Sequence, residues 1–325
     1  MPSKRLDGKG EHVNRMRLLM ALAVVLFAML PLSSAGASPV TALNCDEYHY
    51  DAAGSYLDIE AGSDPLIYAE THSAGIQYDR AGIPLLRYGE GFFYNPVFIA
   101  QNGLYALGRG DARRAIAMGD WFVQTQSKSG AWFYRFSITI GRYARSPHVP
   151  WVSGMAQGQA ISLLTRLYRV THRLDYLRVA QRALTPLQKS TARGGVRAML
   201  FGHPFYEEAP TKPPTFILNG FMYTLFGLHD LATLLPRSAA PRLFTEGMRT
   251  LIFALPLYDG GRGESYYDLR HIFDPPQRAL SAFGPYSAAH VLSLCALNSI
   301  QPHPVLRFYR DLWRTGVVQQ NSSGK

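Results

Sequence analysis

Two adjacent acids open the stretch of the chain that best suits acid–base chemistry. Glu207 and Glu208 lie in "YEEAPTKPP", where Pro210, Pro213 and Pro214 follow them. Each proline fixes its own φ angle and therefore stiffens the segment. An acid held near cavity-lining aromatic residues is a candidate base, because partial burial raises its pKa toward neutrality. A solvated surface pair is the alternative interpretation of the two glutamates.

Tyrosine and arginine are concentrated in nearby loop-like stretches. Tyr267 and Arg270 lie in "YYDLRH", Tyr286 lies in "GPYSAAH", and Tyr206 precedes the two glutamates. A nearby Arg favours the phenolate of Tyr, and Arg binds carboxylates through two parallel hydrogen bonds. These types suit removal of a proton from the carbon next to a carboxylate. Arg would neutralise the growing charge, Glu would take the proton, and Tyr would return one from the other face.

Four apolar segments could position these loops as helices. Aligned on Gln101, Gln157, Asn219 and His290, they recur at intervals of about 55–70 residues, which is typical of a repeated unit. Their sequences are "FIAQNGLYAL", "MAQGQAISLLTRLY", "FILNGFMYTLFGL" and "YSAAHVLSLCAL". A polar residue near the start of each helix would then point into a common cavity. Chance similarity among apolar helices is the alternative.

The segments between them are amphipathic. In "LDYLRVAQRAL", helical spacing places Tyr176, Val179 and Ala183 on one face and Arg178 and Arg182 on another. An apolar inner helix followed by an amphipathic outer helix, repeated four times, predicts a mainly α fold. The expected architecture is an incomplete (α/α) toroid of about four helical hairpins, preceded by a short β-hairpin region.

The pattern also predicts the domain boundaries. Residues 46–94 read as a short β-rich segment, in which Ile76 and Tyr78 alternate with polar neighbours before the turn "DRAG". The toroid, as the catalytic domain, is expected over residues 95–317, and residues 318–325 are expected to form a disordered tail.

The N-terminus has the pattern of an export signal. A basic flank precedes an apolar run over residues 18–32, and an Ala-x-Ala site ends at Ala37. Residues 1–37 are therefore predicted to be a signal peptide, with an uncleaved membrane anchor as the alternative. The body of the protein is expected to be exported to the periplasm or secreted, or else to stay attached to the inner membrane.

The charge balance is compatible with an acidic partner, and a basic surface that binds no partner is the alternative interpretation. The formal net charge is +10, which suits acidic polymers, and no aromatic-basic signature of nucleic-acid binding is present. Cys45 and Cys295 could pair in an oxidising compartment, but their spacing does not decide it. Two distant cysteines and scattered histidines predict no metal site, and no cofactor is expected. A homodimer is left open.

Several separated blocks resemble one known family. "PWVSGMAQGQAISLLTRLY", "YEEAPTKPPTFILNGFMYTLFGLHDL" and "YYDLRH" are similar to the C-terminal domain of the D-glucuronyl C5-epimerases, which act on heparosan-type polysaccharides. The resemblance runs from about Ile76 to Leu297. It implies an (α/α) toroid, an acidic uronate-containing polysaccharide as partner, and inversion at C5 of glucuronate to give iduronate.

The resemblance also implies roles for individual residues. Glu208 would be the base, Tyr267 and Tyr286 the tyrosines of the cleft, with Tyr286 as the acid on the opposite face, and Arg270 would bind the uronate carboxylate. Substrate binding is further expected at Tyr206, Asn219, Gln157 and His290, where packing or helix-end roles are the alternative for the last three.

The sequence also departs from the family pattern. Ala209 stands where the family commonly has Tyr after the second Glu, and Gly154 replaces an Ala. Three alternatives therefore stay open. The first is a polysaccharide lyase that uses the same carbanion, and the second is a glycoside hydrolase in which Asp268 or Glu264 is the second acid. The third is a polysaccharide-binding protein without catalysis.

Overall fold

A computed structural model describes residues 45–54, 75–89, 91–139, 147–275, 277–282 and 285–323. The expected signal segment and its cleavage site lie outside these residues. Within them, no helix combines the length and apolar character needed to cross a bilayer.

The described chain is mainly helical, with short antiparallel β-hairpins between helices. The helices are α1 Pro96–Gly108, α2 Ala112–Thr125, α3 Gly154–Thr171, α4 Leu174–Arg182, α5 Leu184–Gln188, α6 Leu218–Leu234, α7 Ala240–Ala254, α8 Arg270–Phe273, α9 Pro285–Ile300 and α10 Pro304–Ser323. The strands are β1 Ile76–Tyr78, β2 Pro84–Tyr88, β3 Gly91–Phe93, β4 Phe133–Tyr134, β5 Trp151–Val152, β6 Arg197–Leu200, β7 His203–Tyr206, β8 Asp259–Gly261 and β9 Glu264–Ser265.

Four helical hairpins organise the fold, as the repeat predicts. The pairs α1–α2, α3–α4, α6–α7 and α9–α10 each pack together, and the first members pack side by side in the order α1, α3, α6, α9. These inner helices are buried almost all round, which explains their lack of an amphipathic pattern. On the outer helix α4, Tyr176, Val179 and Ala183 are buried while Arg178 and Arg182 are exposed, as predicted.

Close approach of α3 and α6 depends on glycine. The backbone of Gly158 in α3 lies against those of Thr224 and Gly227 in α6, and a Cβ on either glycine would overlap main-chain atoms of the other helix. Both helices begin next to the two glutamates. At the start of α3, Gly154 N–H donates to Glu207 O over 2.8 Å, and in the first turn of α6, Gly220 lies against the Glu208 side chain.

The predicted β-hairpin is present, with one difference. Asp79 Oδ1 accepts from Ala81 N–H and Ile83 N–H, which fixes the turn between β1 and β2. Tyr78, however, is 49% exposed, because β1 is the edge strand of the three-stranded sheet. At the other end of the chain, α10 continues to Ser323, so residues 318–323 are helical rather than a disordered tail. No proline interrupts the chain from residue 305 to residue 323.

The N-terminal strap, which we define as residues 45–54, crosses the ends of the inner helices. Cys45 and Cys295 form a disulfide with their Cα atoms 5.2 Å apart. Tyr50 N–H donates to Ser299 Oγ over 2.9 Å, and the Tyr50 ring stacks on Phe226. The strap thus connects α9 with α6.

Candidate active site

The two adjacent glutamates are buried rather than solvated. Glu207 is 0% exposed and Glu208 is 3% exposed, and both directly follow β7. Glu207 N–H donates to Val196 O over 2.7 Å, which extends the pairing of β6 with β7 beyond Arg197 and Tyr206. A carboxyl group without water around it is costly to ionise. Burial therefore raises the pKa of both glutamates.

Glu208 lies against the first turn of α6. Its carboxyl group occupies the space that a Cβ at Gly220 would fill, and its Oε2 has no hydrogen-bond partner among the described residues. Burial raises the pKa of Glu208 to about 8. Once ionised, such a carboxylate is a stronger base than a solvated one, as a proton-abstracting residue requires.

Tyr267 and Tyr286 form a pair next to this carboxyl group. Their rings meet edge to face with centroids 4.9 Å apart, and both side chains are buried. Tyr267 O accepts from Leu218 N–H over 3.1 Å, which places Tyr267 at the start of α6. Burial raises the pKa of Tyr267, nearby Glu208 and Tyr286 raise it further, and Arg270 lowers it. The structure therefore brings Glu208, Tyr267, Tyr286 and Arg270 together.

Arg270 already has a carboxylate partner. Its Nε lies 2.8 and 2.7 Å from the two carboxyl oxygens of Asp268, and its Nη2 also contacts Asp268. Both side chains are almost fully buried. A uronate carboxylate would therefore share the guanidinium with Asp268. The pairing also weakens the hydrolase alternative, because Asp268 is committed to Arg270 and Glu264 is exposed.

Glu207 is held differently from Glu208. Its Oε1 accepts from Phe216 N–H over 3.2 Å, and Phe216 itself adopts a left-handed backbone with φ 55°. Burial raises the pKa of Glu207 to about 8, the Phe216 hydrogen bond lowers it, and nearby Asp268 and Glu208 raise it. Its Oε2, like that of Glu208, has no partner among the described residues, so the main-chain bond to Oε1 is what distinguishes Glu207 as the acid that supports the loop.

Two predicted binding residues do not belong to this cluster. Tyr206 O–H donates to Leu243 O in α7 over 2.8 Å, so strand β7 directs this tyrosine toward an outer helix. Gln157 Oε1 accepts from Trp132 N–H, while its Nε2 donates to Gly130 O and Ala183 O. All the hydrogen-bonding groups of Gln157 except one lone pair are thus used to join helix α3 to its neighbours, and the packing alternative holds for it.

His290 and Asn219 lie next to segments that carry residues of the cluster. His290 Nδ1 lies 2.8 Å from Ser265 Oγ, which connects α9 to the strand just before Tyr267. Burial lowers the pKa of His290 to about 3, so the ring is neutral and positions rather than titrates. Asn219 is next to Gly220, is 2% exposed, and its Oδ1 has no partner within the described part of the chain.

The sequence did not single out Tyr134, which is close to Glu208. Tyr134 O–H donates to Asn95 Oδ1 over 3.1 Å and accepts from Val97 N–H over 3.2 Å. Burial raises the pKa of Tyr134 and the Glu208 carboxylate contributes to the rise. A tyrosine within "AWFYRF" carries no spacing that could have assigned it to the site. In the described ranges, no group of three or more His, Cys, Asp or Glu residues could hold a metal ion.

Comparison with known proteins agrees with the motifs. A family model described as the D-glucuronyl C5-epimerase C-terminus matches residues 126–315, more than half of the chain. The chain belongs to this epimerase family. The resemblance of the sequence blocks is thereby confirmed, and the matched range includes Glu208, Tyr267, Arg270 and Tyr286.

Two relatives show how much of the family protein the chain represents. It is 36% identical over 209 residues to the D-glucuronyl C5-epimerase of Caenorhabditis elegans, an alignment that covers 61% of this chain and 34% of the nematode protein. It is 24% identical over 141 residues to an uncharacterized protein of Methanocaldococcus jannaschii, covering 42% and 44% of the two chains. The chain thus spans about a third of the nematode relative and less than half of the archaeal one.

Proposed function

We propose that this member of the epimerase family inverts C5 of D-glucuronate to L-iduronate in an acidic polysaccharide of the heparosan type. The observation that carries the proposal is the buried Glu208 carboxyl group, which has an unpartnered oxygen and lies beside the Tyr267–Tyr286 pair. Epimerisation at C5 needs a base and a proton donor around one carbon, and these residues offer both.

The proposed reaction moves two protons, one from C5 to Glu208 and one from Tyr286 to C5. Ionised Glu208 takes the C5 proton, and the electron pair left on C5 delocalises into the uronate carboxylate. Arg270, shared with Asp268, stabilises the added negative charge. The Tyr286 hydroxyl gives its proton to the opposite face of C5, which leaves a phenolate and a protonated Glu208. Exchange with solvent restores both groups.

Incubation with heparosan in deuterated water tests the proposal. We expect deuterium at C5 and new iduronate signals in the NMR spectrum, without shortening of the chain. A lyase would instead expel the C4 substituent and produce an ultraviolet-absorbing unsaturated uronate. A hydrolase would shorten the chain without deuterium at C5, and a binding protein would yield no deuterium. Any of these three results would contradict the proposal; the family assignment favours the epimerase.

The rate should depend on pH through Glu208. Since burial raises the pKa of Glu208 to about 8, only a minority of molecules carry the ionised base at neutral pH. We expect kcat/KM for C5 exchange to rise about tenfold for each pH unit below about 8 and to level off above it. Initial exchange rates across this range provide the measurement.

The matched control for this profile is Glu207→Gln. Glu207 has a similarly raised pKa but is bonded to the main chain. If Glu208 is the base, kcat/KM for C5 exchange should still rise with pH up to about 8 in this variant. The assignment of Glu208 as the base would be contradicted if kcat/KM did not change with pH in the wild type. It would also be contradicted if the rise with pH were lost in Glu207→Gln.

The reaction is also proposed to take place outside the cytoplasm. The Cys45–Cys295 disulfide supports an oxidising compartment, and the basic and apolar N-terminus supports export.

A further inference from the structure

Helix α3 contains two glutamines that have opposite surroundings. Gln157 and Gln159 are both 0% exposed. Gln157 forms three hydrogen bonds to main-chain groups. Gln159, by contrast, has no partner for either Oε1 or Nε2 among the described residues. A buried amide without hydrogen bonds is costly, and native proteins rarely keep one unless a ligand or water satisfies it.

The neighbours of Gln159 along α3 show which way it faces. Gly158 lies against Thr224 and Gly227 of α6, so that sector of the helix is filled by α6. Gln157 Nε2 donates to Ala183 O just beyond α4, so its sector faces the outer helix. Successive residues are about 100° apart, which points Gln159 away from the outer layer, on the far side of the α6 contact.

The other boundary of this sector is helix α1. Leu163 of α3 packs against Gly103 of α1. Leu163 follows Gln159 by four residues on nearly the same face, so Gln159 lies at the α1 edge of the inner side of the helix row. Arg166 follows two turns later in the same sector, and its long side chain reaches both the N-terminal strap and Asp230 of α6. The inner face of α3 thus leads from Gln159 toward the strap.

The position of Gln159 along the axis of α3 can be compared with the level of the candidate base, Glu208. Gly154 in α3 bonds to Glu207, and Gly220 in α6 lies against Glu208, so the two helices begin at the same level. Gln159 is five residues after Gly154, about 7.5 Å along the axis. Because helical side chains lean toward the N-terminus, its amide points back toward the level of Glu208.

We infer that Gln159 binds a ring hydroxyl of the uronate whose C5 faces Glu208, and so helps to select the sugar. An amide both donates and accepts hydrogen bonds, which matches a hydroxyl group better than a carboxylate. Asn219, whose Oδ1 is likewise unpartnered among the described residues, is next in the chain to Gly220, which packs against Glu208. This inference rests on the proposed function, since it names a contact within the same substrate.

The variants Gln159→Leu and Gln157→Leu test it as a matched pair. Gln159→Leu removes unsatisfied polar atoms, so its Tm should be no lower than that of the wild type. Its Kd for a heparosan hexasaccharide, measured by calorimetry, should rise about tenfold because a hydrogen bond to the sugar is lost. Gln157→Leu should lower Tm by about 5–10 °C while the folded protein keeps the wild-type Kd.

The outcomes separate this inference from the proposed function. An unchanged Kd for Gln159→Leu, with deuterium exchange intact in the wild type, would overturn the role of Gln159 alone. A lower Tm or loss of folding for Gln159→Leu would assign it a structural role and would also overturn the inference. If the wild type neither binds the hexasaccharide nor exchanges C5, the proposed function and the inference both fail.

Discussion

Replacement of Glu208 by Gln should reduce C5 deuterium exchange by about 10³-fold or more, because the amide cannot accept the proton. The protein should remain folded, since Gln has the same shape and the carboxyl group has one unpartnered oxygen among the described residues. NMR of heparosan incubated in deuterated water measures the exchange, and circular dichroism measures the fold. Exchange above about a tenth of the wild-type rate would remove Glu208 from the role of base.

The same variant should alter how stability depends on pH. Burial raises the pKa of Glu208 from 4.5 to about 8, so the folded protein retains a proton that the unfolded chain has lost. Between these two pKa values the free energy of unfolding therefore falls as pH rises. Gln cannot ionise, so Glu208→Gln should raise Tm more at pH 8 than at pH 5. An equal Tm change at both pH values would show that Glu208 is already ionised in the folded state.

Glu207→Gln is the control for loss of a neighbouring acid. Glu207 accepts from Phe216 N–H through Oε1, and an amide oxygen can replace that acceptor. We expect exchange to persist in Glu207→Gln. Its gain in Tm over the wild type should, as for Glu208→Gln, be larger at pH 8 than at pH 5. Loss of exchange in both variants alike would indicate that the loop, rather than one carboxylate, is the catalytic requirement.

Periodicity and composition were enough to predict the helical hairpins and the loops that hold the acids. The apolar face of α4 follows from local spacing, and the family motifs identify Glu208, Tyr267, Arg270 and Tyr286 as neighbours. What these patterns do not contain is the direction of side chains in buried segments. Where an inner helix is apolar on all sides, spacing cannot distinguish the face toward a site from the face toward an outer helix.

Gln157 and Gln159 illustrate this limit. Both belong to "MAQGQAIS", and only the packing of α3 against α4 and α6 shows that the first amide supports the fold. Tyr206 is a similar case, because adjacency to Glu207 suggested the site while strand β7 turns its ring to α7. The Asp268–Arg270 ion pair also depends on the tertiary fold, since local sequence does not show that both side chains are buried.

The second large effect concerns stability at the opposite ends of the inner helices. Asp230 of α6 is 0% exposed and forms an ion pair with Arg166 of α3, while Tyr50 O–H lies 3.0 Å from Asp230 Oδ1. Arg166 Nε also donates to Gly54 O over 3.0 Å. Both charges are buried. Removing one of them would leave the other without a partner and without water, which destabilises the folded protein.

Asp230→Asn should therefore lower the free energy of unfolding by about 3–5 kcal/mol, measured by urea denaturation. The paired variant Arg166→Met with Asp230→Leu should recover most of this loss, because neither charge remains buried. Asp230 is ten residues after Gly220, about 15 Å along α6 from the level of Glu208, so kcat/KM of the folded Asp230→Asn protein should stay near the wild-type value. A loss below about 1 kcal/mol would mean that the strap carbonyls alone solvate Arg166. A large fall in kcat/KM at unchanged stability would instead connect the strap to the site through α6.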